Sequence, residues 1–108
     1  MRSEVKEQTM NEKATLVVTA VPNPEEMASV QEYLQGVMPL FVGAGGQLVK
    51  RLKTDQVIQG RPSGMTLVMD FDSADTITEL FESDDYAALV PVRDQVFAEM
   101  NILLTHTM

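Results

Sequence analysis

The amino-acid sequence predicts an α+β fold whose elements follow the order strand, helix, strand, strand, helix, strand. Three observations support this order. Residues 14–21 and 65–71 have the β-branched or alternating apolar pattern of strands, an apolar stripe at helical spacing lies between them, and serine-plus-acid helix starts occur at Ser73 and Ser83. The 108 residues, 44% of them apolar and 22% charged, are typical of one globular domain. We expect a flexible N-terminal arm over residues 1–13, which are polar and patternless, and a single domain over 14–108.

The first strand and the first helix are marked by local signals. Residues 14–21 are rich in β-branched side chains and end at Pro22. The following segment, Asn23–Glu26, offers an asparagine N-cap, a proline at the first helical position and acids in the first turn. Pro39 should kink the helix or end its regular part, and the glycines of 43–46 should stop it. The predicted buried stripe consists of Met27, Val30, Leu34, Val37, Met38 and Phe41.

A hairpin follows the first helix. Residues 47–59 contain a long extended segment, expected to bend or bulge near Thr54-Asp55, and residues 60–64 form the turn. The third strand, 65–71, alternates cleanly. Its two predicted faces are Met65, Leu67, Met69 and Phe71 on one side and Thr66, Val68 and Asp70 on the other.

The second helical region has two predicted starts. Ser73 caps the first part, and Ser83 with two following aspartates restarts the helix, whose apolar face continues through Val96 and Phe97. Residues 101–105 form the final strand. With right-handed crossovers, this order gives a four-stranded antiparallel sheet with both helices on one face, which is the ferredoxin-like βαββαβ plait.

The face of the sheet away from the helices has no cover in a single chain. Its side chains should then be polar, yet apolar residues fall on it whichever way the outer strands turn. Val68 is one of them. The first strand adds either Val17 and Val21 or Leu16 and Val18, and the last strand adds either Ile102 and Leu104 or Leu103. We therefore predict a homodimer that is closed sheet to sheet.

Several blocks of the sequence resemble one family. They are Asn23–Tyr33, Met38-Pro39, Gly45-Gly46, Val57–Gly60, Leu67–Phe71 followed by Ser73, and Ser83–Arg93. The most specific block is Ser83-x-x-Tyr86 followed by Leu89, Pro91 and Arg93. The chain is similar to the domain-of-unknown-function family DUF1330, within the dimeric α+β barrel superfamily. That family usually has a proline where this chain has Asp84, and both residues suit a first helical turn. The resemblance implies the fold and the barrel-like dimer, and it carries no agreed activity.

Charge and composition exclude several kinds of partner. The net charge of −8 disfavours nucleic acid and anionic membranes, and no run is long enough to span a bilayer. The only basic cluster, Lys50, Arg51 and Lys53, is interpreted as a solvated strand edge rather than an anion site. With no cysteine and one histidine, we expect no metal and no cofactor. The start lacks the apolar core of a secretory signal, so we expect a cytoplasmic protein.

The candidate ligand-binding residues are Tyr86, Arg93 and Asp70. A spacing of seven places Tyr86 and Arg93 on one helix face, where a phenol and a guanidinium can grip a carboxylate. The alternative is that Tyr86 packs on the sheet and Arg93 pairs with an acid such as Asp70 or Glu82. Asp70 is also a catalytic candidate, because a strand carboxylate facing the layer between subunits needs a partner.

His106 is the other catalytic candidate. It is the only side chain whose ordinary pKa suits proton transfer near neutrality, although a solvated terminus also explains it. Arg61 is either a solvated turn residue or a contact to a neighbouring subunit. The glycine run 43–46 follows a helix instead of opening one, so it is not a phosphate cradle.

Two functions from different classes fit the sequence. The first is a small-molecule binding protein with a helix–sheet cleft for a carboxylate-bearing ligand, and the sequence leaves open whether it is a cofactor-independent enzyme. The second is a non-enzymatic interaction or structural module without a ligand. An RNA-binding plait is rejected because its stacking aromatics and positive charge are missing.

Overall fold

The strands and helices follow the predicted order. The computed structural model describes residues 13–61 and 63–108, so the expected N-terminal arm lies, except for Lys13, outside the described residues. A short 3-10 turn at Pro24–Glu26 precedes the first helix. The elements are β1 Ala14–Pro22, α1 Met27–Gly43, β2 Gln47–Lys53, β3 Met65–Phe71, α2 Ala74–Phe81, α3 Asp84–Ala87, α4 Val90–Val96 and β4 Phe97–Thr105.

The four strands form one sheet in the order β2-β3-β1-β4. Every neighbouring pair is antiparallel. Each helix contributes at least one buried side chain to the same core, so the helices cover one face of the sheet. The predicted ferredoxin-like plait is confirmed.

The core lies between this helical layer and the inward face of the sheet. Leu16, Met69 and Phe71 are its largest fully buried strand residues, and their alternation with partly exposed neighbours matches the two-residue period of a strand. Of the predicted helical stripe, Val30, Val37 and Phe41 are buried. Met27 is wrong as a core residue, because it lies in the first turn with 56% of its surface exposed.

The start of the first helix is stabilised differently from the expected cap. The Asn23 side chain makes no capping hydrogen bond, and its Nδ2 instead donates to the Gln95 backbone oxygen at 2.8 Å. The Asn23 backbone oxygen accepts from Glu26 N at 2.9 Å, which closes the 3-10 turn. Pro39 lies inside α1 without ending it, and the helix runs on to Gly43.

The two serine caps of the second helical region are confirmed. Ser73 Oγ accepts from Thr76 N at 3.3 Å, and Ser83 Oγ accepts from Tyr86 N at 3.2 Å. The last strand begins at Phe97, four residues before the expected start. Phe97 has extended backbone angles, φ −113° and ψ 131°, so its apolar side chain belongs to the strand and not to the preceding helix.

Strand β2 ends at Lys53 and the chain bends at Asp55, as predicted, but the strand also carries an irregularity that the sequence did not predict. Leu48 lies opposite Met69 and Lys50 lies opposite Val68, so Val49 is the extra residue of a β-bulge. Residues directly opposite each other in an antiparallel pair project from the same face of the sheet. The bulge therefore places Lys50 on the outer face and the next two cations on the helix side, with Arg51 opposite Leu67 and Lys53 opposite Met65.

The outer face of the sheet is the one without helices. Alternation places Val17 and Val21 on it, together with Val68 from β3 and Leu103 from β4. Asp70 lies on the same face. The outer sheet face, defined by these residues, thus has one apolar row at its centre, formed by Val17, Val68 and Leu103, with Thr15 and Thr19 on either side of Val17.

Candidate functional site

A large hollow lies between α1 and the inward face of the sheet. This helix–sheet cleft has a volume of about 870 Å³. Its floor includes Val18, Ala20 and Leu67, and its wall includes Leu34 and Tyr33 of α1. The cleft is open at the β2 edge, where all seven residues of the strand are exposed. A volume of this size falls in the range of about 300–1,000 Å³ that is usual for small-molecule sites.

Tyr33 is the polar group buried in the cleft wall, with 4% of its surface exposed. Its ring meets Phe97 edge to face, with the centroids 5.4 Å apart. Its hydroxyl lies 3.0 Å from the Tyr86 hydroxyl. Burial, and then the hydrogen bond with Tyr86, raise the pKa of Tyr33 above its ordinary value, so this phenol stays neutral at physiological pH.

Tyr86 and Arg93 are brought together as their spacing predicts. Arg93 Nη1 donates to the Tyr86 hydroxyl oxygen at 3.2 Å, and the guanidinium carbon lies 5.8 Å from the Tyr86 ring centre. Leu89 N donates to Tyr86 O at 2.9 Å and Arg93 N donates to Leu89 O at 2.9 Å, so backbone hydrogen bonds connect Tyr86 to Arg93 across the junction between α3 and α4. The two side chains therefore meet although they belong to separate helices.

Arg93 also pairs with an acid, but not with Asp70 or Glu82. Its Nε donates to Asp94 Oδ1 at 3.1 Å. Burial lowers the pKa of Arg93, but the hydrogen bonds with Tyr86 and Asp94 outweigh it and the net shift is upward. A continuous polar chain thus runs from Tyr33 in the cleft wall through Tyr86 to the Arg93–Asp94 pair near the surface.

A smaller hollow of about 310 Å³ lies on the other side of this polar chain. It is lined by Tyr86 and Arg93 together with Ile77, Phe81 and Leu104. We call it the Arg93 hollow. Tyr86 and Arg93 both lie on the surface of this hollow.

Asp70 does not lie beside Tyr86 and Arg93. It is on the outer sheet face, where Thr15 Oγ1 donates to its Oδ1 at 2.7 Å. His106 follows the end of β4 and is exposed. Arg61 forms an ion pair with Glu99 of the same chain. The five residues singled out from the sequence thus occupy four places: the helical layer for Tyr86 and Arg93, and the outer sheet face, the turn before β3 and the terminus for the other three.

Two features of the site were missed by the sequence reasoning. Tyr33 was omitted from the stripe, although it lies three residues after Val30 and four before Val37, both of which are buried. The direction of Arg51 and Lys53 depends on the bulge at Val49, for which the sequence gives no local signal.

The described residues give two further findings about binding classes. No helix within 13–61 and 63–108 is long and apolar enough to cross a membrane. In that same part of the chain, no three histidine, cysteine, aspartate or glutamate side chains lie together as a metal site.

A family model described as a domain of unknown function, DUF1330, matches residues 3–108. The chain belongs to the DUF1330 family. The resemblance predicted from the sequence blocks is therefore confirmed, and no curated protein matches the chain.

Solved structures similar to this DUF1330 chain share its fold. RPA0582, a protein of unknown function from Rhodopseudomonas palustris, is 11% identical with a TM-score of 0.78 over 99% of this chain and 91% of its own. A dabb family protein with a ferredoxin-like fold from Mesorhizobium loti is 12% identical, with a TM-score of 0.69 over 89% of this chain and 97% of its own. A dimeric protein of unknown function with a ferredoxin-like fold from Bacteroides fragilis is 10% identical, with a TM-score of 0.60 over 88% and 96%. At these identities the likeness shows the fold alone.

Proposed function

We propose that this protein binds a small, largely apolar molecule in the helix–sheet cleft and acts as a homodimer. The cleft itself carries the proposal, because a hollow of about 870 Å³ in a chain of 108 residues is large relative to the core that it interrupts. Its floor is formed by Val18, Ala20 and Leu67, and burying apolar ligand surface against such side chains is favourable by about 25 cal/mol per Å².

In this proposal Tyr33 presents the cleft with its one buried phenol. Tyr86 holds that phenol in place through the hydrogen bond between the two hydroxyls, and Arg93 in turn donates to the Tyr86 hydroxyl. Direct contact of Arg93 with a carboxylate-bearing ligand stays a prediction, and the Arg93 hollow is where that contact would take place. Whether binding leads to a reaction is left open, and a cytoplasmic location stays a prediction from the sequence.

The homodimer is supported by the outer sheet face. Val17, Val68 and Leu103 lie at its centre, and each such side chain is worth about 1.5–3 kcal/mol on full burial. The Bacteroides fragilis neighbour of the same fold is described as dimeric. We propose that two copies pack through this face, which leaves both helix–sheet clefts on the outside of the dimer.

Blocking the cleft tests the binding proposal. Nile red is a neutral probe whose fluorescence rises in apolar surroundings, and we expect the wild-type protein to bind it with saturation. Leu34 is half-buried in the cleft wall, so Leu34→Trp should fill the hollow and reduce Nile red binding. The neighbouring Gln35 is exposed and does not line the cleft, which makes Gln35→Trp the matched control. Equal Nile red binding by both variants would contradict the proposal.

A second function, protein interaction, is favoured by the loop between β2 and β3. Ile58 is 92% exposed and Val57 is 41% exposed there, which is unusual for two adjacent β-branched apolar residues. A protein that retains no ligand, and whose Ile58→Ser variant loses a partner that the wild type binds, would support this function instead.

A further inference from the structure

We infer that the helix–sheet cleft selects amphipathic anions, and that Arg51 and Lys53 bind the acidic headgroup at its open edge. This inference rests on the proposed function and adds the chemical class of the ligand. It starts from the direction of the two cations. The bulge at Val49 turns them to the helix side of the sheet, and both line the cleft.

The charge of the cleft is opposite to that of the chain. The protein has 16 acidic and 8 basic residues, yet the described side chains that line the cleft include Arg51 and Lys53 and no aspartate or glutamate. The ion pairs among the described residues are Arg61–Glu99 and Arg93–Asp94, so neither Arg51 nor Lys53 is paired with a described acid. An anion is the ligand charge that complements this edge.

The shape of the cleft separates a cationic end from an apolar end. Arg51 and Lys53 are two residues apart on one strand, so their backbones lie about 7 Å apart at the open β2 edge. From these two cations on β2, the residues that line the cleft extend across the sheet to Ile102 on β4. The distance from β2 to β4 is three strand spacings, or roughly 14 Å. A fatty acid of medium length has the matching form, with a carboxylate at one end and an acyl chain behind it.

The same cations also have a structural explanation. An edge strand with inward-pointing charges resists pairing with the edge of another sheet, and β2 is an edge strand. The two explanations differ in one measurable respect. A headgroup site distinguishes a charged ligand from its neutral analogue, whereas a charge that only discourages association does not.

Decanoate and decanol, which carry matching apolar chains, are the probes. We expect wild-type protein to bind decanoate more tightly than decanol when each displaces Nile red. The doubly substituted Arg51→Gln/Lys53→Gln protein should bind decanoate roughly 3- to 10-fold more weakly and decanol unchanged. Raising the ionic strength should weaken decanoate binding to the wild type.

Lys50 supplies the matched control. It lies on the same strand and carries the same charge but projects from the outer sheet face, so Lys50→Gln should leave decanoate binding at its wild-type level. All three positions are exposed, and circular dichroism should report an unchanged fold for each variant.

Four outcomes overturn the inference. One is equal affinity of the wild type for decanoate and decanol, and another is a loss of decanoate binding in Lys50→Gln as large as that in Arg51→Gln/Lys53→Gln. Either result shows that Arg51 and Lys53 do not bind the headgroup specifically, and it leaves the proposed function standing. If the doubly substituted protein self-associates while its affinity for decanoate is unchanged, Arg51 and Lys53 serve only to prevent β2 from pairing with the edge of another sheet. Failure of the wild type to bind Nile red, decanoate and decanol overturns both the inference and the proposed function.

Discussion

Removing one hydroxyl from the buried phenol pair should have very different effects depending on which tyrosine loses it. Tyr86→Phe removes the group that both Tyr33 and Arg93 contact, at 3.0 Å and 3.2 Å respectively. Tyr33→Phe removes only one contact, and the Tyr86 oxygen still accepts from Arg93. Both substitutions keep the aromatic ring, so the edge-to-face contacts of Tyr33 with Phe97 and of Tyr86 with Phe81 are retained.

The magnitudes follow from which groups lose their partners. Tyr33 is 4% exposed, so in Tyr86→Phe its hydroxyl is buried without a described partner, at a cost of about 1–3 kcal/mol. Arg93 keeps Asp94 and some access to water, which limits its own loss. Tyr33→Phe should cost only about 0.5–1.5 kcal/mol, the net value of one hydrogen bond. The double variant should cost about 1 kcal/mol less than the sum of the single variants, because it leaves no phenol unpaired.

Urea unfolding of the wild type, both single variants and the double variant measures these free energies. Thermal unfolding should follow, with about 4–8 °C lost per kcal/mol. If Tyr33→Phe is as destabilising as Tyr86→Phe, or if the two losses add without coupling, the buried polar chain does not exist as described.

Three further predictions concern pH, packing and assembly. Burial raises the folded-state pKa of Tyr33, so as the pH rises this phenol ionises first in the unfolded chain, near pH 10. The free energy of unfolding should therefore fall by about 1.4 kcal/mol for each pH unit above that value. Urea unfolding at alkaline pH should show a larger loss of stability for the wild type than for Tyr33→Phe. Gly46→Ala places a Cβ 2.7 Å from Phe71 Cζ and should cost about 1–3 kcal/mol, whereas Gly43→Ala meets nothing within 4 Å and should be neutral or slightly stabilising in the same unfolding assay. Val68→Asp puts a charge at the centre of the outer sheet face, so light scattering should find a monomer, in contrast to the dimer that we expect of the wild type, and an unchanged dimer would refute that interface.

Much of the fold could be predicted because its signals are local. Strands β1 and β3 and the caps at Ser73 and Ser83 depend on alternation and side-chain hydrogen bonds within a few residues. The start of β4 could not be predicted in this way. Val96 and Phe97 continue the helical spacing of the apolar face, but Asn23 N donates to Val96 O at 2.8 Å and fixes the chain at the end of α4. That contact joins residues far apart in the sequence.

The candidate site was predicted less completely than the fold. The meeting of Tyr86 and Arg93 follows from a spacing of seven on a helix, and the structure brings them together. The cleft depends on how α1 sits over the sheet, which no short pattern records. The direction of Arg51 and Lys53 depends on one extra residue, since moving a strand by one position turns every following side chain to the other face.

Native mass spectrometry of the freshly purified protein tests the central claim of a ligand-binding cleft most directly. We expect wild-type protein to retain a small molecule from the host, and Leu34→Trp, whose new side chain fills the cleft, to retain none while Gln35→Trp still does. A wild-type protein without bound mass that also fails to bind Nile red would contradict the claim, and so would a bound molecule retained equally by Leu34→Trp.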